Sequence, residues 1–145
     1  MIFVDSNIWC YYFDKRLREH EQVRELMRET LISQEIVCNT LIILEVAHYI
    51  VRHFDETTAR KKIEYLTNLS NLTIVDFDRP SMNQALESLI EHSYDQGLGG
   101  RDATVIASMK FKKIKTIISH DQIFKRLCAK LDLEVIDPIK TNFSN

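Results

Sequence analysis

Short apolar runs alternate with stretches of helical periodicity along the whole chain. Met1-Ile2-Phe3-Val4 reads as a buried strand, ended by the turn-forming Asp5-Ser6-Asn7. Ile8, Trp9, Tyr11, Tyr12 and Phe13 follow without strand alternation and predict helical turns packed on a sheet. From Leu17 to Ser33, a stripe of Val23, Leu26, Met27, Thr30 and Leu31 against alternating charges predicts an amphipathic helix. Glu35-Ile36-Val37-Cys38 predicts a second strand. Asn39 or Thr40 then caps a helix from Leu41 to Val51. That helix is apolar nearly all round, so it is expected to be buried, in the core or at a subunit contact. Asp55-Glu56-Thr57-Thr58 opens a basic helix ending near Ser70, and Leu72-Thr73-Ile74-Val75 alternates as a third strand.

Pro80 and Ser81 introduce a helix through Leu86, Leu89 and Ile90, closed by Gly97, Gly99 and Gly100. The run from Gly99 to Met109 starts another helix. Ala103, Ile106, Ala107 and the stem of Lys110 share one of its faces, and its small residues allow close approach, so it is expected to be central. Lys115-Thr116-Ile117-Ile118-Ser119 predicts a fourth strand, with His120-Asp121 just beyond it. Ile123, Phe124 and Leu127 belong to a short helix, and Leu133-Glu134-Val135-Ile136 to a last strand. Strands alternating with helices predict a mostly parallel sheet covered on both faces, in one domain over 1–145 with a core of about 2–136 and a tail over 137–145.

Composition narrows the function. The 145 residues suffice for one hydrophobic core, with 45% hydrophobic and 28% charged positions. A formal net charge of −2 argues against a generally basic, polyanion-coating protein. Cys10, Cys38 and Cys128 are odd in number, lack a C-x-x-C pair and sit among apolar neighbours. They read as buried free thiols, not as a disulfide framework or a zinc site. No uncharged apolar run spans a membrane and no signal-peptide pattern opens the chain, so a cytoplasmic protein is expected.

The candidate chemistry lies in acids. Parallel sheets gather ligands at the C-terminal ends of their strands. Asp5 ends the first strand, Asp121 follows the fourth, and Asp102 opens a helix on the same expected edge. Alone, each is explained by a turn or a helix cap. Glu45 is not, because it lies mid-helix among Ile42, Ile43, Leu44, Val46 and Ala47, where an ionised carboxylate is costly without a cation. His48 completes a Glu-x-x-His spacing, but the second such motif of a di-iron bundle is missing, so it reads as a packed or surface histidine. Four converging acids repel one another. A hard divalent ion, Mg²⁺ or Mn²⁺, relieves the repulsion and brings phosphodiester hydrolysis within reach.

Val4-Asp5-Ser6-Asn7, Glu45 in an apolar helix, Gly99-Gly100-Arg101-Asp102-Ala103, and Ile118-Ser119-His120-Asp121 with Phe124 occur in one order over residues 2 to about 136. In this set the chain resembles the PIN-domain ribonucleases, most of all the VapC toxins of toxin–antitoxin pairs. The resemblance implies a Rossmann-like three-layer α/β/α fold and a Mg²⁺- or Mn²⁺-dependent endoribonuclease. It carries metal binding and catalysis onto Asp5, Glu45, Asp102 and Asp121, with Ser6 or Asn7 and Ser119 hydrogen-bonding to the ligands. It also implies an RNA substrate (transfer, ribosomal or messenger), a homodimer and a small cognate antitoxin.

An RNA backbone calls for cations. Arg101 is the best placed, for a phosphate or for pairing with an acid. Arg52, His53, Arg60, Lys61 and Lys62 form a second candidate rim. Lys110, Lys112, Lys113 and Lys115 read as a solvated helix end, and Trp9, Tyr11 and Tyr12 as core residues more than as base-stacking platforms. A housekeeping PIN nuclease in RNA processing and a non-catalytic PIN binding module share most of these features. A response-regulator receiver needs two adjacent acids after the first strand, and an aspartyl phosphatase needs Asp-x-Asp there. Asp5-Ser6-Asn7 supplies neither.

Overall fold

The computed structural model describes residues 1–139. Five short strands form one sheet: β1 (Ile2–Val4), β2 (Ile36–Asn39), β3 (Leu72–Val75), β4 (Thr116–Ile118) and β5 (Glu134–Ile136). They lie in the order β3-β2-β1-β4-β5 and every pair is parallel, which completes the expected mostly parallel sheet. The chain steps from β1 outward to β3, then crosses back to β4 on the other side of β1. The order therefore reverses between β1 and β4, where a parallel sheet opens a crevice beyond its strand ends. β1 is buried on both faces (Ile2, Phe3, Val4), as a central parallel strand must be.

Seven helices connect the strands: α1 (Ser6–Phe13), α2 (His20–Ser33), α3 (Thr40–His53), α4 (Glu56–Thr67), α5 (Arg79–Gln96), α6 (Gly100–Lys112) and α7 (Gln122–Leu131). The first four pack on one another and the last three do likewise, as the two layers outside the sheet. Aspartate and asparagine start most of them. Asp5, Asn39, Asp55, Asp78 and Asp121 accept backbone N–H bonds at the starts of α1, α3, α4, α5 and α7. α5 ends at Gly97, whose φ of 74° is the left-handed conformation that favours glycine. α6 is central, as its small residues predict: every residue from Ala103 to Met109 is buried, and it packs on α5 and β2.

Several expectations need correcting. The helix expected from Leu17 begins at His20, because a turn with an Asp14–Leu17 backbone bond precedes it. Within one chain α3 buries only one face, which leaves the other for the expected subunit contact. Ile42, Val46 and Ile50 face the core, while Leu44 and Val51 are 66% and 60% exposed. On α5 the large apolar residues mostly face outward, with Leu89 half-buried. Ser81, Ala85 and Ser88 face inward, where short side chains let α6 come close, and Met82, Leu86 and Ile90 are exposed. Of the three free thiols only Cys38 is fully buried, and Cys10 and Cys128 are half-buried. Trp9 is in the core, its Nε1 donating to Cys38 Sγ at 3.2 Å, so it offers no face to a base. Of the expected tail over 137–145, residues 140–145 lie outside the described residues. Among the described residues, no helix is long and apolar enough to cross a membrane.

Candidate active site

Asp5 and Ser119 continue the sheet just past β1 and β4. The Asp5 N–H donates to Ile118 O at 3.1 Å and the Ser119 N–H to Ile136 O at 3.1 Å. They flank the crevice, and their side chains meet: Ser119 Oγ donates to Asp5 Oδ2 at 2.7 Å. Asp5 is wholly buried and has further donors in the Ser6 N–H at 2.7 Å and Asn7 Nδ2 at 3.2 Å. Ser119 Oγ also accepts the Asp121 N–H at 3.0 Å, so one hydroxyl spaces two of the candidate acids.

Arg101 gathers the set. Its Nη1 donates to Asp5 Oδ1 at 2.9 Å, Ser6 Oγ at 2.9 Å and Glu45 Oε2 at 3.4 Å. Its Nη2 donates to Asp102 Oδ1 at 2.5 Å and Asp121 Oδ2 at 3.3 Å. Asp5, Glu45, Asp102 and Asp121 come from four separate elements, and all four lie within hydrogen-bond reach of one guanidinium. Asp5 and Asp121 cap helices, as their local sequence suggests, and still turn oxygen toward the centre. Asp102 does not cap. The first turn of α6 has no side-chain cap, and its carboxylate goes to Arg101 instead.

The electrostatics follow from that crowding. Burial lowers the pKa of Arg101, but the charges of Asp5, Asp102 and Glu45 outweigh it and hold the guanidinium above its ordinary value. Burial raises the Asp102 carboxyl, and Asp121 and Asp5 add to the rise against the opposing pull of Arg101. Cys10, beside the site, is pushed up to about 12, mainly by burial and then by Glu45 and Asp5, so it is a thiol at neutral pH and no nucleophile.

Two features hold the arrangement. Asn39 is buried at the start of α3. Its Oδ1 accepts the Ile42 N–H at 2.8 Å, while its Nδ2 donates to Thr104 O at 3.2 Å and Ser108 Oγ at 3.0 Å on α6. It ties the helix of Glu45 to that of Asp102, a role its sequence position, legible only as a cap, did not reveal. Beside the four acids lies a cleft of about 560 Å³ lined by Ser6, Asn7, Glu45, His48, Arg52 and His53, among others. His48 is therefore a surface residue facing the cleft, and Arg52 and His53 stand on its rim.

The remaining cations lie elsewhere. Arg60 pairs with Glu56 on α4. Lys61 and Lys62 line a different depression with Arg24 and Arg28. Lys110, Lys113 and Lys115 line a cavity at the far end of α6, at the opposite edge of the sheet from Asp102.

The family model of the PIN domain matches residues 2–130. The chain belongs to the PIN domain family. Solved structures agree on the fold of this PIN domain. VapC20 of Mycobacterium tuberculosis, described as a toxin that cleaves the sarcin-ricin loop, superposes with a TM-score of 0.74 at 18% identity, over 87% of this chain and 94% of that one. VapBC2 of Rickettsia felis, bound to a DNA fragment from its promoter, gives 0.71 at 18% identity over 94% and 98%. VapBC-1 of nontypeable Haemophilus influenzae gives 0.69 at 19% identity over 97% and 100%. Among curated proteins no sequence matches this one.

Whether a metal fits depends on Arg101. Among the described residues, no three His, Cys, Asp or Glu side chains stand close enough together to hold an ion as placed. The donor chemistry nevertheless suits a hard divalent cation: four carboxylates and one hydroxyl, all oxygen, converge on a point already taken by positive charge.

Proposed function

We propose that this PIN domain is a metal-dependent endoribonuclease, the VapC-type toxin of a toxin–antitoxin pair, acting in the cytoplasm. One observation carries the reading: carboxylates from four elements share a single cationic centre at the strand-order reversal of a parallel sheet. Asp5, Asp102 and Asp121 would hold Mg²⁺ or Mn²⁺, with Glu45 orienting water or a second ion. Such an ion supplies positive charge to a phosphate oxygen and acidifies water.

The chain's own residues supply the rest. Asn7 and Ser119 fix the buried Asp5, and Ser119 sets its spacing from Asp121. Glu45 is the most exposed of the four acids and faces the cleft, where its carboxylate is placed to take a proton from the attacking water. The water oxygen bonds to phosphorus, the bond from phosphorus to the leaving ribose oxygen breaks, and that oxygen takes up a proton. Arg52 on the rim offers positive charge to the flanking RNA backbone. The test is sequencing of RNA ends after induced expression. New ends are expected with the native chain and not with Asp102→Asn, and purified protein is expected to lose cleavage in EDTA. Equal cleavage by both proteins rejects the assignment.

The solved relatives that are toxin–antitoxin complexes support a protein antitoxin as partner. Exposed Met82, Leu86 and Ile90 on α5, with Leu44 and Val51 on α3, support a homodimer. Light scattering is expected to give twice the chain mass, falling to one chain in Leu86→Glu/Ile90→Glu. One observation favours a second reading, a non-catalytic binding module: Arg101 closes the acidic centre. Metal-dependent cleavage by the native chain excludes it.

A further inference from the structure

Arg101 has one guanidinium and four acidic partners, and the partners do not depend on it equally. Asp5 keeps the Ser6 N–H, Asn7 and Ser119 without it, and Asp121 keeps the Ile123 N–H at the start of α7. Glu45 and Asp102 have no other side-chain hydrogen bond among the described residues. The arginine thus offsets part of the centre's negative charge without building its frame. Its backbone is fixed in the first turn of α6, where its carbonyl accepts Thr104 Oγ1 at 2.7 Å, while the side chain reaches the acids through freely rotating methylenes. Its Nη1 already touches Ser6 and Glu45, and both line the adjacent cleft. The guanidinium is thus separated from the cleft only by Ser6 and Glu45, which it touches.

We propose that Arg101 is the resting counter-ion of the acidic centre, that it competes with the divalent ion for the same four carboxylates, and that once displaced it binds a phosphate of the RNA from the cleft. The proposal deepens the nuclease reading and rests on its metal site. Two cations that need the same oxygens exclude each other, so removing one must raise the apparent affinity for the other by the factor it had cost. An empty cleft and a filled centre are then one state. A metal-loaded centre and an arginine poised for phosphate are the other, and metal loading prepares the site for a polyanion.

The experiment is calorimetric titration of the full-length chain with Mn²⁺. Arg101→Ala is expected to bind Mn²⁺ about tenfold more tightly than the native chain. Arg101→Lys, which keeps the charge, is expected to lie between them. Without metal, Arg101→Ala is expected to melt lower than the native chain and to gain more from added Mn²⁺. The second arm uses an uncleavable 2′-O-methyl RNA oligonucleotide. Arg101→Ala is expected to bind it about tenfold more weakly than the native chain in Mn²⁺, and equally in metal-free buffer. Should Arg101→Ala fail to fold, Arg101→Gln serves in both arms.

Equal or weaker Mn²⁺ binding in the neutral variants overturns the competition. So does the absence of Mn²⁺ binding by every folded form. An RNA affinity independent of metal in both proteins overturns the second role of Arg101. These readouts use no cleavage. Tighter Mn²⁺ binding in Arg101→Ala supports the counter-ion even where RNA sequencing finds no cut ends, an outcome that would remove only the nuclease reading.

Discussion

Two aspartates of this PIN domain are almost wholly out of water, and an arginine meets each one. At Asp14 the match is complete. Arg16 grips it with Nε and Nη2, both at 2.8 Å, and Tyr49 donates its hydroxyl at 2.8 Å. Among the described residues no other acid pairs with Arg16. The Arg16 bond and the Tyr49 hydroxyl, acting against burial, hold the Asp14 carboxyl well below the usual carboxylate range. At Asp5 the match is oversubscribed, because its arginine also serves Glu45, Asp102 and Asp121. A one-to-one pair of this kind, with Tyr49 as second donor, ties α1 to α3 and leaves no acid unmatched. An arginine divided among four acids leaves charge unmatched, and unmatched charge is what a second cation answers.

The comparison breaks most sharply on activity. Asp102→Asn is expected to reduce RNA cleavage to background while holding or raising the thermal midpoint of the metal-free protein, since it removes one charge from a crowded set. A large loss of stability would place Asp102 with Asp14 as a scaffold acid. Asp14→Asn is expected to do the reverse, lowering unfolding free energy in urea by about 2 kcal/mol while leaving Mn²⁺ affinity unchanged.

The same pair carries a pH signature. The folded pKa of Asp14 lies below its ordinary value of 3.8, so its contribution is fully present above that value and is lost as pH falls toward the lowered one. Urea titrations from about pH 5 down to about pH 2, which enter that window, are expected to show a shallower acid decline in Asp14→Asn than in the native chain. The smallest effect is expected at Lys115, which pairs with Asp132 in open solvent at the opposite edge of the sheet. Lys115→Ala is expected to change neither the midpoint nor the cleavage rate, because exposed pairs contribute little.

The order of strands and helices was legible because each announces its own period and its own cap. Ile2 to Val4, Asn39, Asp55 and Asp121 are local signals, read within a few residues. Asp5, Asp102 and Asp121 were legible as neighbours, since strand ends and helix starts of a parallel sheet face one edge, while Glu45, in mid-helix, stood out only by its apolar surroundings. Facing direction was less legible. Leu86 and Ile90 look like core residues by type, yet the close approach of α6 selects Ser81, Ala85 and Ser88 for the inner face. Pairings across the chain were not legible at all: Asp14 with Tyr49, or Asn39 with Ser108, is a property of the assembled layers. Arg101 was recognisable as a partner for some acid, but its division among four of them depends on distances that no spacing along the chain encodes.

Asn39 makes the site vulnerable from a distance. One buried amide sets how far apart two acid-bearing helices stand, and an apolar side chain of similar size would leave the Ile42 N–H at the start of α3 without its acceptor and break the tie to Ser108 Oγ on α6. A screen for inactive variants should therefore recover position 39 alongside the acids themselves, from chains whose four acids are all intact but held at the wrong separation.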